Sequence, residues 1–254
     1  MKKILVRADD LGYSEAVNYG IEKTIRSGII RSAGVMTNMP AAEHGVELLK
    51  DLDVCLGLHT NICVGKPLCN PEKIPSLLQP SGEFRESKEF RSAKEDFVVL
   101  DEVIQEIEAQ YERFVELTGK KPCYFEGHAV KSNNFFLGLE IVAKRYDCDY
   151  LAFSSDQPVK FRNTLLYPGM SLTMPESGTL PDPESSFLKS IEQNHGNDHI
   201  EMYVCHPGYI DAYLLEHSSL TIPRPMEVKM ATSERVKEAL DKYGIQVVTY
   251  SELD

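Results

Sequence analysis

The sequence predicts an α/β protein, a single domain over residues 1–254 folded as an irregular (β/α) barrel of about seven parallel strands. Short apolar runs alternate with amphipathic stretches along the chain, which implies a parallel sheet with helices outside it. No internal repeat and no low-complexity linker divides the 254 residues, a length that one large domain can fill. About seven strands in one domain of that size favour a barrel. A doubly wound open sheet is the alternative, and periodicity alone does not separate the two.

The elements follow in order. "KILVRA" is a β-rich apolar run and reads as a buried strand that stops at Asp9-Asp10. "SEAVNYGIEKTIRSG" has apolar residues at helical spacing, Ser14 as N-cap and Gly28 as stop. "SAGVMTN" is a second strand, and Pro40 opens a helix through Lys50. "VCLGLHT" is a third strand ending at His59. Residues 61–94 carry Pro67, Pro71, Pro75 and Pro80 and are too long for an ordinary connection, so they read as a lid or substrate loop. "AKEDFVVLDEVIQEIEAQYERFVELTG" is a helix closed by Gly119, and "KPCYFEG" a strand running to His128. "NNFFLGLEIVAKRY" reads as a helix and "CDYLAFS" as a strand. The Pro-, Ser- and Gly-rich stretch 155–198 shows no clear period. "HIEMYVCHPG" is a strand running into His206, and "SERVKEALDKYG" and "IQVVTYSEL" close the chain as helix and strand.

Composition narrows the partners. The formal net charge of −12 argues against nucleic acid or an anionic membrane, because phosphate recognition needs a basic face. No segment approaches the length of a membrane span. The N-terminus has only five residues, among them Arg7, between its lysine pair and Asp9, too few for a signal-peptide core. The six cysteines form no CxxC pair and read as reduced thiols of a cytoplasmic protein.

The chemistry gathers at strand ends. Asp9-Asp10, His59, Glu126 with His128, and His206 each close a predicted strand. Parallel strands of an α/β fold share one C-terminal face, so these residues can meet in one pocket. Two histidines and a carboxylate form a common metal-binding set that leaves positions open. Taken singly, each has a structural use: the acids can cap the following helix, and "HPG" can be a turn. His44, His195, His199 and His217 fall in helical or loop contexts and read as surface residues.

The motifs "ADDLGYSEAVNYGI", "GLHTN", "EGH" and "HPG", in that order, resemble the YdjC-like carbohydrate deacetylases, which include the chitooligosaccharide deacetylases. The resemblance extends through "VMTNMP" and the final "VVTYSEL" and so covers nearly the whole chain. It implies a distorted (β/α) barrel, removal of acetyl groups from N-acetylated sugars, a homodimer, and a divalent ion, usually magnesium. By position the ion's ligands would be Asp10, His59 and His128. The chain departs from the family pattern at "FEGHAVKS": Glu126 stands where aspartate is usual, and Val130 and Ser132 where histidines are common.

Amide hydrolysis needs an activated water and a protonated leaving amine. Asp9 is assigned as base, and His206 as acid or as a stabiliser of the oxyanion. Arg162 in "VKFRN" is a candidate for binding substrate or orienting Asp9, and Tyr13 and Asn38 are candidates for lining the pocket. The expected partner is a small acetylated sugar. Two imidazoles and a carboxylate also suit zinc. The rival readings are a metal-dependent hydrolase of another amide or ester, and a non-catalytic sugar-binding relative.

Overall fold

The structure, a computed structural model, describes residues 2–152, 154, 157–170, 180–193 and 200–254. In chain order the elements are β1 (Lys2–Leu11), α1 (Glu15–Ser27), β2 (Ser32–Val35), α2 (Ala42–Leu49), β3 (Cys55–Thr60), α3 (Ser87–Ser92), α4 (Leu100–Thr118), β4 (Phe125–Gly127), α5 (Asn133–Arg145), β5 (Val159–Phe161), β6 (Thr164–Met170), α6 (Pro183–Gln193), β7 (Ile200–Cys205), α7 (Ala212–His217), α8 (Pro223–Ala231), α9 (Glu234–Tyr243) and β8 (Ile245–Val248).

The strands form one sheet along the path β4-β3-β2-β1-β7-β6-β5, with β8 added to β1. One edge of β1 pairs with β7 from Ile4 to Ala8. The other pairs with β8 over Lys2–Leu5 and then with β2 from Arg7. Every ladder is parallel except β5–β6. Among the described residues no ladder joins β4 to β5, so the expected distorted barrel forms with one side open, a half-barrel in which seven strands pair in parallel, as expected, and β5 adds an antiparallel edge.

Local chemistry sets the element ends. The Ser14 hydroxyl accepts from the Val17 N–H and starts α1, as expected. Gly119 and Gly244 close α4 and α9 in left-handed backbone, where a missing Cβ removes the steric cost. The helix expected from Ala93 begins seven residues later. Asp96 interrupts it: its carboxylate accepts from the Val98 N–H, the Ser132 hydroxyl and the Asn134 N–H. The strand expected in "CDYLAFS" is reduced to a single parallel bridge between Phe125 and Tyr150. The stretch without clear period supplies β5, β6 and α6, while His195 and His199 lie outside the described residues.

β1 is buried from Ile4 onward, as expected of a parallel strand covered on both faces. Its outward side chains join the main core with Val17 and Ile21 of α1, Val103 and Ile107 of α4, and Phe135 and Leu139 of α5. Side chains buried to that degree contribute roughly 1.5–3 kcal/mol each. A Cβ on Gly20 would stand 2.4 Å from the Gly208 Cα, so this glycine lets the backbone after His206 lie directly on α1.

Candidate active site

The site begins where β1 stops being regular. Successive side chains of a strand point to opposite faces, yet both acids at its end face one site. The ladder with β2 shifts register between Ala8 and Leu11, and Asp10 takes a left-handed φ of 75°. Gly12 follows at φ 103°, its N–H donating to the buried Asn18 side chain at 2.7 Å. The break thus starts at Asp10 itself, ahead of Gly12.

Asp10 Oδ1 lies 3.3 Å from His59 Nε2 and 3.2 Å from His128 Nδ1, and the two ring nitrogens are 2.9 Å apart. Oδ1 is buried and has no hydrogen-bond partner among the described residues. With one proton bridging the rings the carboxylate oxygen is unserved, and with a proton on each facing nitrogen two N–H groups confront each other across 2.9 Å. A divalent cation would serve all three atoms, and one carboxylate with two imidazoles is a donor set such ions accept. The residues present therefore fit a metal ion.

Further side chains orient these three. His59 Nδ1 meets Glu126 Oε1, which fixes the ring and directs Nε2 toward Asp10. The Arg7 guanidinium donates to both oxygens of Asp9, at 2.8 and 2.9 Å, lies 3.4 Å from Glu126 Oε2, and donates to the Tyr250 hydroxyl at 3.0 Å. Arg224 donates to Asp10 Oδ2 at 2.7 Å and to the Leu220 carbonyl at 2.8 Å, leaving Oδ1 free to face the histidines. The His206 N–H donates to Glu227, and the His206 Nδ1 is buried without a hydrogen-bond partner among the described residues.

Electrostatics follow from this packing. Burial alone would raise both carboxyls. The charge of Arg7, then of His59, reverses this at Asp9, and the charge of Arg224, then of His128, holds Asp10 well below the usual carboxylate range. Burial opposes charge on His59 and His128, but Glu126 and Asp9 raise the first well above its usual value and Asp10 raises the second to about 9. A bound cation would displace these protons. At His206 burial outweighs the nearby acids and pushes the imidazole below its usual value.

Two cavities meet at the cluster. One of about 320 Å³ is lined by Arg7, Asp9, His59, Glu126 and a set of apolar side chains. The other, of about 860 Å³, is lined by Asp10, Tyr13, Arg224, His217 and the segment that includes Cys63–Gly65, Gln79 and Phe84. His128, Ala129, His206 and Arg91 border both. The long proline-containing segment therefore lies on the same face as His59. It is tied down by the fully buried Glu106, whose carboxylate accepts from the Leu68 and Cys69 N–H groups at 3.0–3.1 Å.

The sequence-derived candidates divide as follows. Asp9, Asp10, His59, His128 and His206 come together, and Tyr13 lines the larger cavity while its hydroxyl donates to the His217 carbonyl at 2.8 Å. Asn38 lines neither cavity; its side chain holds the 61–66 turn through Asn61 and the Val64 and Lys66 carbonyls. Arg162 does not reach Asp9. It is exposed at the β5–β6 turn, paired with Asp149 at 2.8 Å and with the Leu253 carbonyl, and Arg7 takes the place assigned to it. His217, read as a surface residue, is exposed but borders the larger cavity, and His44 is half-buried against Asn18. Val130 packs in the core and the Ser132 hydroxyl caps α5, so these two departures serve the fold, while Glu126 keeps a carboxylate against His59.

Reasoning from sequence missed Arg7, Arg224 and Glu227. The signal for Arg7 was a charge inside a buried strand, two residues before the acids; nothing local marked the other two.

Comparison with known proteins supplies the family. The YdjC-like protein family matches residues 3–242. Carbohydrate deacetylase 2 of Listeria innocua serovar 6a is 31% identical over 99% of this chain and 98% of its own length. The carbohydrate deacetylase of Geobacillus stearothermophilus is 31% identical over 98% and 96%. Among solved structures, a proposed cellobiose-phosphate cleavage protein from Enterococcus faecalis V583 superposes with a TM-score of 0.82 at 24% identity, covering 98% of this chain and 97% of that one.

Proposed function

Because the chain belongs to the YdjC-like family, we propose that it is a metal-dependent hydrolase that removes acetyl groups from N-acetylated sugars or oligosaccharides. The observation that carries this reading is the buried Asp10 Oδ1, without a hydrogen-bond partner among the described residues, facing His59 and His128 at the junction of two cavities. The names of the two deacetylase relatives support the same reaction. The ion is magnesium by family resemblance, and zinc is the alternative that metal analysis distinguishes.

Asp10, His59 and His128 would hold a divalent ion, which would supply Lewis acidity and a more acidic water. Asp9, kept ionised and held by Arg7 through both oxygens, accepts the water's proton. Glu126 keeps His59 in one tautomer, and Arg224 keeps Asp10 in one orientation. His206, which borders both cavities, donates a hydrogen bond to the developing oxyanion, and the departing amine takes the proton that Asp9 accepted from the water.

The test is acetate release from a panel of N-acetylated mono- and oligosaccharides, with and without chelator. Release that stops with chelator and returns with added metal is expected. Metal binding without release from any acetylated sugar would favour the non-catalytic sugar-binding reading.

A further inference from the structure

The smaller cavity is much larger than an acetyl group requires. Its volume is about 320 Å³, roughly ten times the ~30 Å³ share of one water molecule, which a methyl group approximates. Its walls are Phe136, Tyr150, Leu151, Pro168, Met202 and Val204, and the reacting residues stand at one end.

Strand register gives its direction. Val204 pairs with Arg7 and Met202 with Leu5, both below His206 on β7. At about 3.3 Å per residue, Val204 lies roughly 7 Å and Met202 roughly 13 Å down the strand from His206. The cavity thus runs from the reacting centre into the lumen of the half-barrel. Arg7 and Arg91 are the cationic side chains of its lining, and the Arg7 guanidinium is engaged by Asp9, Glu126 and Tyr250. The larger cavity has the opposite chemistry, with Gln79, Glu83, Glu86, Lys88, Glu216 and Ser218 around it.

An N-acyl sugar has two parts that leave a trans amide in opposite directions. Sugar hydroxyls in the apolar lumen would lose hydrogen bonds to water without replacement. An alkyl chain there gains roughly fourfold in affinity per buried methylene. The polar cavity suits the sugar, and the lumen suits the acyl chain.

We propose that the smaller cavity is an acyl pocket, and that the substrates include sugars whose amine carries an acyl group longer than acetyl, such as propionyl or butyryl. This rests on the hydrolase reading above. The reaction is unchanged in kind: water oxygen bonds to the acyl carbon, the C–N bond breaks, the nitrogen takes a proton, and a carboxylate and a sugar amine leave without any redox change.

The experiment measures amine released from N-acetyl-, N-propionyl- and N-butyrylglucosamine, and from the matching disaccharides, by the metal-loaded full chain. Butyryl kcat/KM at or above that for acetyl is expected. Val204→Phe and Leu151→Phe fill the cavity from two walls, and each should lower the butyryl-to-acetyl ratio by about tenfold or more; melting curves check that both fold. A wild-type butyryl value more than about tenfold below acetyl, or a ratio that neither folded variant moves, overturns the acyl pocket and leaves the deacetylase reading standing. No amine from any of the compounds overturns the hydrolase reading, and the pocket falls with it.

Discussion

At the C-terminal end of the strands Arg224 pairs with Asp10, both about 1% exposed; at the opposite end Arg162 pairs with Asp149, with side chains 33% and 43% exposed. Both ends also hold non-glycine residues in left-handed backbone: Asp10 and Ala129 at the first, Asp147 and Arg162 at the second. The ingredients match, but the surroundings differ. Behind the site, ion pairing and backbone strain aim a carboxylate at two histidines. At the far end the same features only turn the chain in water, where a charge pair is screened. Burial is what converts an ordinary arginine–aspartate contact into part of a site.

The largest effect should come from the acids themselves. Asp9→Asn should keep the metal and lower turnover by roughly 10²–10⁴-fold, the range for a lost general base. Asp10→Asn should lose metal as well, because an amide is a poorer ligand than a carboxylate. Metal content measured beside acetate release separates the two, and the reverse pattern would exchange the roles. Asp149→Asn at the far end is the control, and a comparable loss there would break the contrast.

Next comes stability. Arg224→Met leaves Asp10 Oδ2 buried without its charge partner, which should cost about 3–5 kcal/mol. Arg162→Met should cost no more than about 1 kcal/mol. Denaturant unfolding of the two variants decides it; equal losses would mean that burial does not set the difference.

A smaller effect is expected at Glu126. Glu126→Gln can still accept from His59 Nδ1 but loses the charge, and metal affinity should fall by roughly 10–100-fold with the fold intact. Competition with a fluorescent chelator reads this directly, and unchanged affinity would remove Glu126 from the site. Smallest of all, Asp147→Gly relieves an exposed left-handed residue and should raise the melting temperature by about 2 °C. Asp10→Gly, at the other end, should abolish activity although it relieves the same kind of strain.

What could be read from the sequence was what is local or what recurs. Ser14 and Gly119 act within a few residues of themselves, so the ends they set were legible. The gathering of Asp9, Asp10, His59, His128 and His206 was legible because parallel strands put their C-terminal ends on one face. Arg224 was not, since it meets Asp10 across 214 residues of sequence and sits in a helix of mixed character. The start of α4 was displaced because Asp96 binds the cap and first turn of α5, a contact no helical period contains. Arg162 was given a role that Arg7 fills, because the turn at the end of β5 sends it away from the strand ends that matter.

β1, the strand that carries both acids, is hydrogen-bonded along each edge, to β7 on one and to β8 and β2 on the other. Amide groups in such a strand exchange with solvent only when the molecule opens globally, whereas segments held by a few contacts exchange through local opening. The 61–94 stretch contributes none of the sheet's strands and is held by side chains instead, through Glu106 and Gln110 of α4 and through Ile74, Leu77 and Phe84 packed in the main core. The two carboxylates therefore stand on backbone that any local opening of that stretch would leave in place.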